Sequence, residues 1–87
     1  MLVQLRLTKS FDKEFVKITK GNLSLKKKVV KQLDILIKNP QHPSLSLHKL
    51  SGEKYWSISI SKSIRILLLF KKEAICVYHI GKHENVY

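Results

Sequence analysis

Two apolar runs near the C-terminus constrain the fold of this 87-residue chain more than any other feature. They span residues 64–70 and 74–80, and only Lys71, Lys72 and Glu73 separate them. Each run has the length of a β-strand and is apolar at almost every position, which is typical of a strand covered on both faces. A connection this short favours an antiparallel hairpin. The chain must therefore build its layers around a buried sheet.

Two amphipathic helices are predicted upstream of these runs. The first begins after Ser10, a predicted N-cap, and its apolar face repeats at helical spacing. That face comprises Phe11, Phe15 and Ile18. The second helix is expected from Leu23 to Lys38, with Asn22 as its cap and a proline-containing loop after it. Its apolar stripe comprises Val29, Val30, Leu33, Leu36 and Ile37.

Alternating polarity predicts two further strands, at residues 2–7 and 55–60. In the second of these, Ser57 and Ser59 alternate with apolar residues. The last strand of the chain, from residue 74, is expected to end at Gly81. The predicted order is strand, helix, helix and three strands, within a single domain of residues 1–87. We therefore expect an α+β fold in which two N-terminal-half helices pack on one face of a mostly antiparallel four-stranded sheet. The face with Ser57 and Ser59 is expected to stay more open.

Charge is the strongest signal in the composition. Lysine and arginine number 17 against 6 acidic residues, which gives a formal charge of +11. A field of this size attracts polyanions, so nucleic acid is the first candidate partner, an acidic protein the second and an anionic membrane surface the third. No segment approaches the ~20 apolar residues of a membrane span. A single cysteine, Cys76, excludes an intrachain disulfide, and a cytoplasmic location is expected.

Arg65 is the residue that stands out on physical grounds alone. It interrupts an apolar strand, where an unpaired charge is costly. Two readings are open: a salt bridge to Glu53 or Glu73, or a guanidinium presented to a phosphate. The four histidines show no spacing typical of a zinc site, so no metal is predicted. His83 is either a surface residue or an acid–base group in the polar C-terminal tail.

Four segments, taken in order, resemble a known family. They are Leu47-His48-Lys49-Leu50-Ser51-Gly52, the strand from Tyr55 to Ile60, the arginine-bearing strand from Ile64, and the ending Gly81-Lys82-His83-Glu84-Asn85-Val86-Tyr87. This succession resembles the RelE/ParE superfamily of toxins from type II toxin–antitoxin systems. Within it, the resemblance is closest to the YafQ-like branch of the RelE/StbE group.

The resemblance implies a ribosome-dependent, metal-independent endoribonuclease that cuts mRNA, inhibits translation and uses no cofactor. His83 and His48 match family histidines, Arg65 matches a phosphate-holding arginine, and Tyr87 matches a terminal aromatic position. An acidic antitoxin, mRNA and the ribosome are the implied partners, with no membrane and no small-molecule cofactor. Basic positions that are candidates for holding the RNA backbone are Lys49, Lys54, Lys62 and Lys82.

The chain also departs from the YafQ branch. Ser57, Ser59 and Ser63 occupy positions where that branch carries acidic or histidine residues, and a serine cannot replace a titrating group at neutral pH. Two alternatives therefore stay open besides the ribonuclease. One is a ParE-like toxin that inhibits DNA gyrase, and the other is a catalytically degenerate member that only binds RNA.

Overall fold

The computed structural model describes residues 3–82, which form two helices and five strands. The helices are α1 (Lys9–Thr19) and α2 (Leu23–Lys38), followed by a short 3₁₀ helix at Pro43–Leu45. The strands are β1 (Gln4–Leu7), β2 (His48–Lys49), β3 (Trp56–Ser59), β4 (Ile64–Phe70) and β5 (Ala74–Lys82). Neither α1 nor α2 combines the length and the continuous apolar surface that a bilayer-spanning helix requires.

All five strands form one sheet in the order β1-β5-β4-β3-β2. The pairing of β1 with β5 is parallel, and the other three pairings are antiparallel. The predicted α+β class is confirmed, but the sheet has five strands where four were expected. The extra strand, β2, has only two residues, which is too short to show any alternation of polarity.

The last strand is also longer than predicted. Gly81 was expected to end it, whereas Gly81 pairs with Arg65 and β5 continues to Lys82, which pairs with Ile64. Glycine weakens a strand but does not end it when a neighbouring strand supplies the pairing. The described part of the chain therefore ends beside the first residues of β4.

The core lies between the helices and one face of the sheet. From the sheet, and from Ile60 directly after β3, it takes the residues Ile58, Ile60, Ile64, Ile66, Leu68, Ile75, Val77 and Ile80. From the helices and the 3₁₀ turn it takes Phe11, Val29, Leu33, Leu36 and Leu45. Two members of the predicted α2 stripe are not in this core: Val30 is 57% exposed and Ile37 is 36% exposed. The apolar arc of α2 is wider than the area that the sheet covers.

The cap of α1 differs from the prediction. Thr8, and not Ser10, is the N-cap, and its Oγ1 accepts a hydrogen bond from the Phe11 N–H at 3.2 Å. Thr8 also donates its backbone N–H to the Val77 carbonyl, which holds it at the end of the parallel strand pair. Tertiary pairing thus starts the helix earlier than local sequence suggests. The predicted cap of α2 is confirmed, since Asn22 Oδ1 accepts from the Leu25 N–H at 3.0 Å.

Candidate functional site

The sheet face opposite the helices, here called the distal face, carries the polar residues of the central strands. Successive side chains of a strand point to opposite faces. Ile64 and Ile66 lie in the core, so Arg65 between them points to the distal face. Its register partners are Ser59 on β3 and Gly81 on β5. The prediction that this face stays open is wrong at Ser57, whose side chain is fully buried.

Arg65 is held by three hydrogen-bond contacts. Its Nε donates to Ser57 Oγ at 2.7 Å, and its Nη2 donates to the Ser46 carbonyl at 3.1 Å. The same Nη2 lies 3.3 Å from His48 Nδ1. Within residues 3–82 Arg65 forms no ion pair, so the salt bridge to Glu53 or Glu73 is not what holds it. Its positive charge is kept in place by neutral groups and is not neutralised.

The orientation of these contacts leaves one edge of the guanidinium available. Nε and Nη2 face the protein, whereas Nη1 takes part in no hydrogen bond within the described residues. A planar guanidinium that is fixed on one side and free on the other is suited to an oxyanion such as a phosphate. Arg65 is also only partly buried, so a ligand can reach it.

His48 lies beside Arg65 and shares its partner. His48 Nδ1 is 3.1 Å from the Ser46 carbonyl and 3.3 Å from Arg65 Nη2. A protonated Nδ1 donates to the carbonyl, and an unprotonated Nδ1 accepts from the guanidinium. Both arrangements engage Nδ1, so the Nε2 edge of this exposed ring is the one that can meet a substrate. Of the predicted catalytic residues, the structure brings Arg65 and His48 together.

The loop that supplies the Ser46 carbonyl is itself fixed from the helix side. Ser46 has a positive φ of 45° at the end of the 3₁₀ helix, a left-handed conformation that turns its carbonyl toward Arg65. The buried Gln32 of α2 donates from Nε2 to the Ser44 carbonyl at 3.1 Å and to the Ser59 carbonyl at 2.9 Å. Gln32 therefore ties together the loop and the strand that flank the arginine.

His83 and Tyr87, the other predicted catalytic residues, lie outside the described residues. The described chain ends at Lys82, whose pairing with Ile64 puts it one residue from Arg65 in the register. Their predicted roles therefore stay predictions.

The four predicted RNA-binding lysines do not share one face. Lys54 places its Nζ 5.5 Å from the Tyr55 ring centroid, and Lys62 is exposed in the β3–β4 turn. Lys49 pairs with Trp56, and Lys82 pairs with Ile64. Both of those partners pack on the core side. By strand alternation, Lys49 and Lys82 extend toward the helix side of the sheet and not toward Arg65.

Three residues of the site region were missed by the sequence analysis. Gln32 carried a usable signal, because it is a polar residue beside the apolar stripe of α2. Ser46 carried none, since its role depends on backbone conformation. Glu14 was not singled out by the sequence, yet its Oε1 accepts from the Ile80 N–H at 3.2 Å and lies 3.2 Å from His79 Nδ1.

The remaining histidines serve local structure. His79 contacts Glu14, and His42 Nδ1 accepts from the Ser44 N–H at 3.1 Å at the start of the 3₁₀ helix. Within residues 3–82, no three histidine, cysteine or acidic side chains gather as a metal site would need.

Fold and site together define a class: a basic α+β domain with two helices on one sheet face and an arginine-centred cluster on the other.

Sequence comparison identifies no matching family model and no matching curated protein. Solved structures do match. A copper-bound mutant toxin from Helicobacter pylori is 26% identical, with a TM-score of 0.75 and 100% of both chains covered.

Two further structures match over nearly the whole chain. The DinJ–YafQ toxin–antitoxin complex of E. coli gives 14% identity and a TM-score of 0.82, covering 100% of this chain and 99% of the matched one. A YoeB/ParE toxin from Agrobacterium tumefaciens gives 16% identity and a TM-score of 0.78, with 93% and 99% covered. The chain has the fold of the RelE/ParE-superfamily toxins, as the motifs of residues 47–87 predicted.

Proposed function

We propose that this protein is the toxin of a type II toxin–antitoxin system and acts as a ribosome-dependent, metal-independent mRNA endoribonuclease in the cytoplasm. The observation that carries the proposal is Arg65: a guanidinium fixed by Ser57 and the Ser46 carbonyl, not neutralised within the described residues, and beside a histidine. The likeness to solved toxin structures supports the same conclusion.

In the proposed reaction the RNA supplies its own nucleophile. The ribose 2′-oxygen forms a bond to the adjacent phosphorus while the bond from phosphorus to the 5′-oxygen breaks, leaving a cyclic phosphate and a 5′-hydroxyl. A base removes the 2′-hydroxyl proton and an acid protonates the leaving oxygen. Arg65 stabilises the charge that develops on the phosphoryl oxygens, a role that preorganised donors perform well.

The acid–base roles are assigned to histidines. We assign His83 as acid or base, with His48 as the second candidate because its ring adjoins the phosphate-binding guanidinium. Tyr87 is assigned to stack on a base or to assist proton transfer. Lys54, beside Tyr55, and Lys62, in the β3–β4 turn, are the lysines best placed to hold RNA backbone near the distal face. Lys49 and Lys82 extend toward the helix side, so they are assigned only to RNA backbone that leaves the distal face.

Ser57 is assigned the role of positioning Arg65, which does not require a titrating group. Its hydroxyl accepts the shortest hydrogen bond that Arg65 forms, so it is a positioning residue. The chemistry then rests on Arg65 and histidines, without a carboxylate at Ser57, Ser59 or Ser63. In this proposal, Arg65 and the histidines suffice for catalysis although serines occupy the positions where the YafQ branch has acidic or histidine residues.

The proposed partner that silences the toxin is an acidic antitoxin. The matched structures include DinJ–YafQ and YoeB–YefM complexes, and a charge of +11 favours an acidic chain. On α2, Leu23 and Val30 are 65% and 57% exposed and lie seven residues apart on one face. Lysines border this stripe: Lys26, Lys27 and Lys31. An amphipathic acidic segment of the antitoxin fits it.

Expression of the chain alone, followed by mapping of mRNA 5′ ends, tests the activity. Cuts at defined positions within translated codons are expected, and His83→Gln is expected to abolish them while the protein stays folded. A matched in vitro reaction with purified mRNA, with and without ribosomes, tests ribosome dependence.

The other outcomes are equally specific. Growth arrest with intact mRNA and blocked DNA supercoiling would establish the gyrase-inhibiting alternative. Salt-sensitive RNA binding without arrest or cleavage would establish the degenerate alternative. Persistent cleavage by His83→Gln would leave the activity standing and overturn the assignment of His83.

A further inference from the structure

Three partly exposed rings form a cluster on the distal face, next to the arginine site. Tyr55 precedes β3, and its ring centroid lies 5.6 Å from that of Tyr78 and 6.1 Å from that of His79, both on β5. Because β4 runs between β3 and β5, these rings meet above β4. Leu67 of β4 pairs with His79 and is only 4% exposed, although it lies outside the core cluster between the helices and the sheet.

A register shift in β5 explains how two consecutive residues, Tyr78 and His79, both contact the Tyr55 ring. Leu67 pairs with His79, whereas Leu68 pairs with Val77, so Tyr78 is an extra residue in β5. Such a bulge redirects side chains and increases the local twist. It places both Tyr78 and His79 within ring contact of Tyr55. The ring cluster therefore depends on the bulge at Tyr78, and regular strand pairing would not form it.

The cluster continues directly from the arginine site. Tyr55 is two residues from Ser57, a distance of roughly 7 Å along an extended chain, and Ser57 accepts the hydrogen bond from Arg65 Nε. The Lys54 ammonium lies 5.5 Å from the Tyr55 ring centroid, which adds a cation at the rim. A phosphate on Arg65 would thus have aromatic rings within reach of its neighbouring nucleotide.

A basic hollow lies beyond the rings. It has a volume of about 640 Å³ and is lined by the cations Arg6, Lys71 and Lys72, by the carboxylate of Glu73, and by Gln4, Ala74 and Cys76. Arg6 pairs with Cys76, which is two residues from Tyr78 along β5. Three cations against one carboxylate leave the hollow net positive.

We propose that Tyr55 and Tyr78 are a base-stacking subsite for single-stranded RNA, whose backbone runs from Arg65 past these rings to the basic hollow. Aromatic rings combined with a cationic groove are how proteins bind single strands without reading sequence. The proposal rests on the proposed function and adds to it a binding position for an unpaired base of the RNA, at a site separate from the reacting phosphate. It also predicts weak base preference at this position.

Binding to an uncleavable strand separates this subsite from catalysis. The probe is a short, labelled 2′-O-methyl RNA of mixed sequence, which lacks the attacking hydroxyl, and the readout is fluorescence anisotropy at fixed salt. Tyr55→Leu and Tyr78→Leu are each expected to weaken binding about 30-fold, the middle of the range for one base stack. Tyr55→Phe keeps the ring and is expected to bind as the unchanged protein does.

Phe70→Leu is the matched control, because Phe70 is a 39% exposed aromatic residue whose ring contacts Trp56 on the core side. It is expected to leave RNA binding unchanged. A second probe carries an abasic nucleotide at the stacked position. Tyr55→Leu should bind this probe with the same affinity as it binds the intact probe.

Equal affinity of the leucine variants and the unchanged protein for the intact probe would overturn the subsite, as would no binding of the probe by the unchanged protein. Failure of the proposed function looks different, because it appears as uncut mRNA on ribosomes whatever the affinity for the uncleavable probe. Circular dichroism of each variant identifies any loss that comes from unfolding.

Discussion

The two faces of this sheet use alternate residues of the same strands for different purposes. On the helix side, Ile64, Ile66 and Leu68 of β4 are almost fully buried in the core. On the distal side, Arg65 of the same strand is held by the hydrogen bonds that it donates to the Ser57 hydroxyl and the Ser46 carbonyl. Residues that stabilise the fold therefore alternate along β4 with residues of the candidate site, so substitutions at neighbouring positions should have different effects.

The largest effect is expected from Arg65→Met. Losing a preorganised cation at a developing oxyanion costs about 10²–10³-fold in rate, by analogy with other oxyanion donors. The free energy of unfolding should change by only about 1 kcal/mol, because the hydrogen bonds lost are few. Cleavage of ribosome-bound mRNA and urea denaturation measure the two quantities.

Arg65→Lys is the control for charge. It keeps the cation but not the fork that contacts Ser57 and Ser46 together, so an intermediate rate is expected. A rate for Arg65→Met equal to that of the unchanged protein would remove the arginine from the mechanism.

The next effect is expected from Ile66→Ala, one position along the strand and on the other face. Truncating a fully buried isoleucine costs about 2–5 kcal/mol of the free energy of unfolding. A domain this small has little stability to spare. At temperatures where the variant is folded, its cleavage rate should match that of the unchanged protein. A large rate loss in the folded variant would show that the two faces are not separable.

Gln32→Leu tests the one described side chain that links α2 to both flanks of the arginine site. It removes the donor to the Ser44 and Ser59 carbonyls and leaves two acceptors without it. The expected loss is about 1–3 kcal/mol of the free energy of unfolding, the cost of unsatisfied buried polar groups. Because the Ser46 loop loses its anchor, cleavage should fall as well. Gln32→Glu, with a similar shape but no donor amide, should behave likewise.

The smallest effect is expected from Thr8→Ala, which removes the cap of α1. The expected cost is about 1 kcal/mol of the free energy of unfolding. Ser10→Ala, inside the first turn of α1, is the matched control and should be near neutral. Thermal denaturation of the two variants compares them directly, and a larger loss in Ser10→Ala would contradict the observed cap.

The parts of the fold that depend on repeating patterns could be predicted from the sequence. The bounds of α2 and β4 agree with the prediction because each has a long, regular distribution of apolar residues. The two-residue strand β2, the extra residue in β5 and the Thr8 cap could not be predicted, since each depends on contacts with distant segments.

The candidate site also depends on contacts between distant segments, which the sequence does not show. Arg65 was identified because a charge in an apolar strand is costly, and His48 was identified through the family resemblance. Their 3.3 Å contact required the fold. Ser57 was read as the loss of an acid–base group, whereas its hydroxyl holds Arg65, and a serine's use as an acceptor has no signature in sequence.

The unequal lengths of β1 and β5 have a consequence for association between chains. The parallel pairing with β1 stops at Val77, although β5 continues to Lys82, so part of its outer edge meets no strand within the described residues. An unprotected edge is a template for pairing with another chain and for aggregation. The Glu14 carboxylate accepts the Ile80 N–H of that edge at 3.2 Å. A negative charge on the edge discourages a second strand from docking there, so Glu14 helps to keep a small, apolar sheet from assembling with copies of itself.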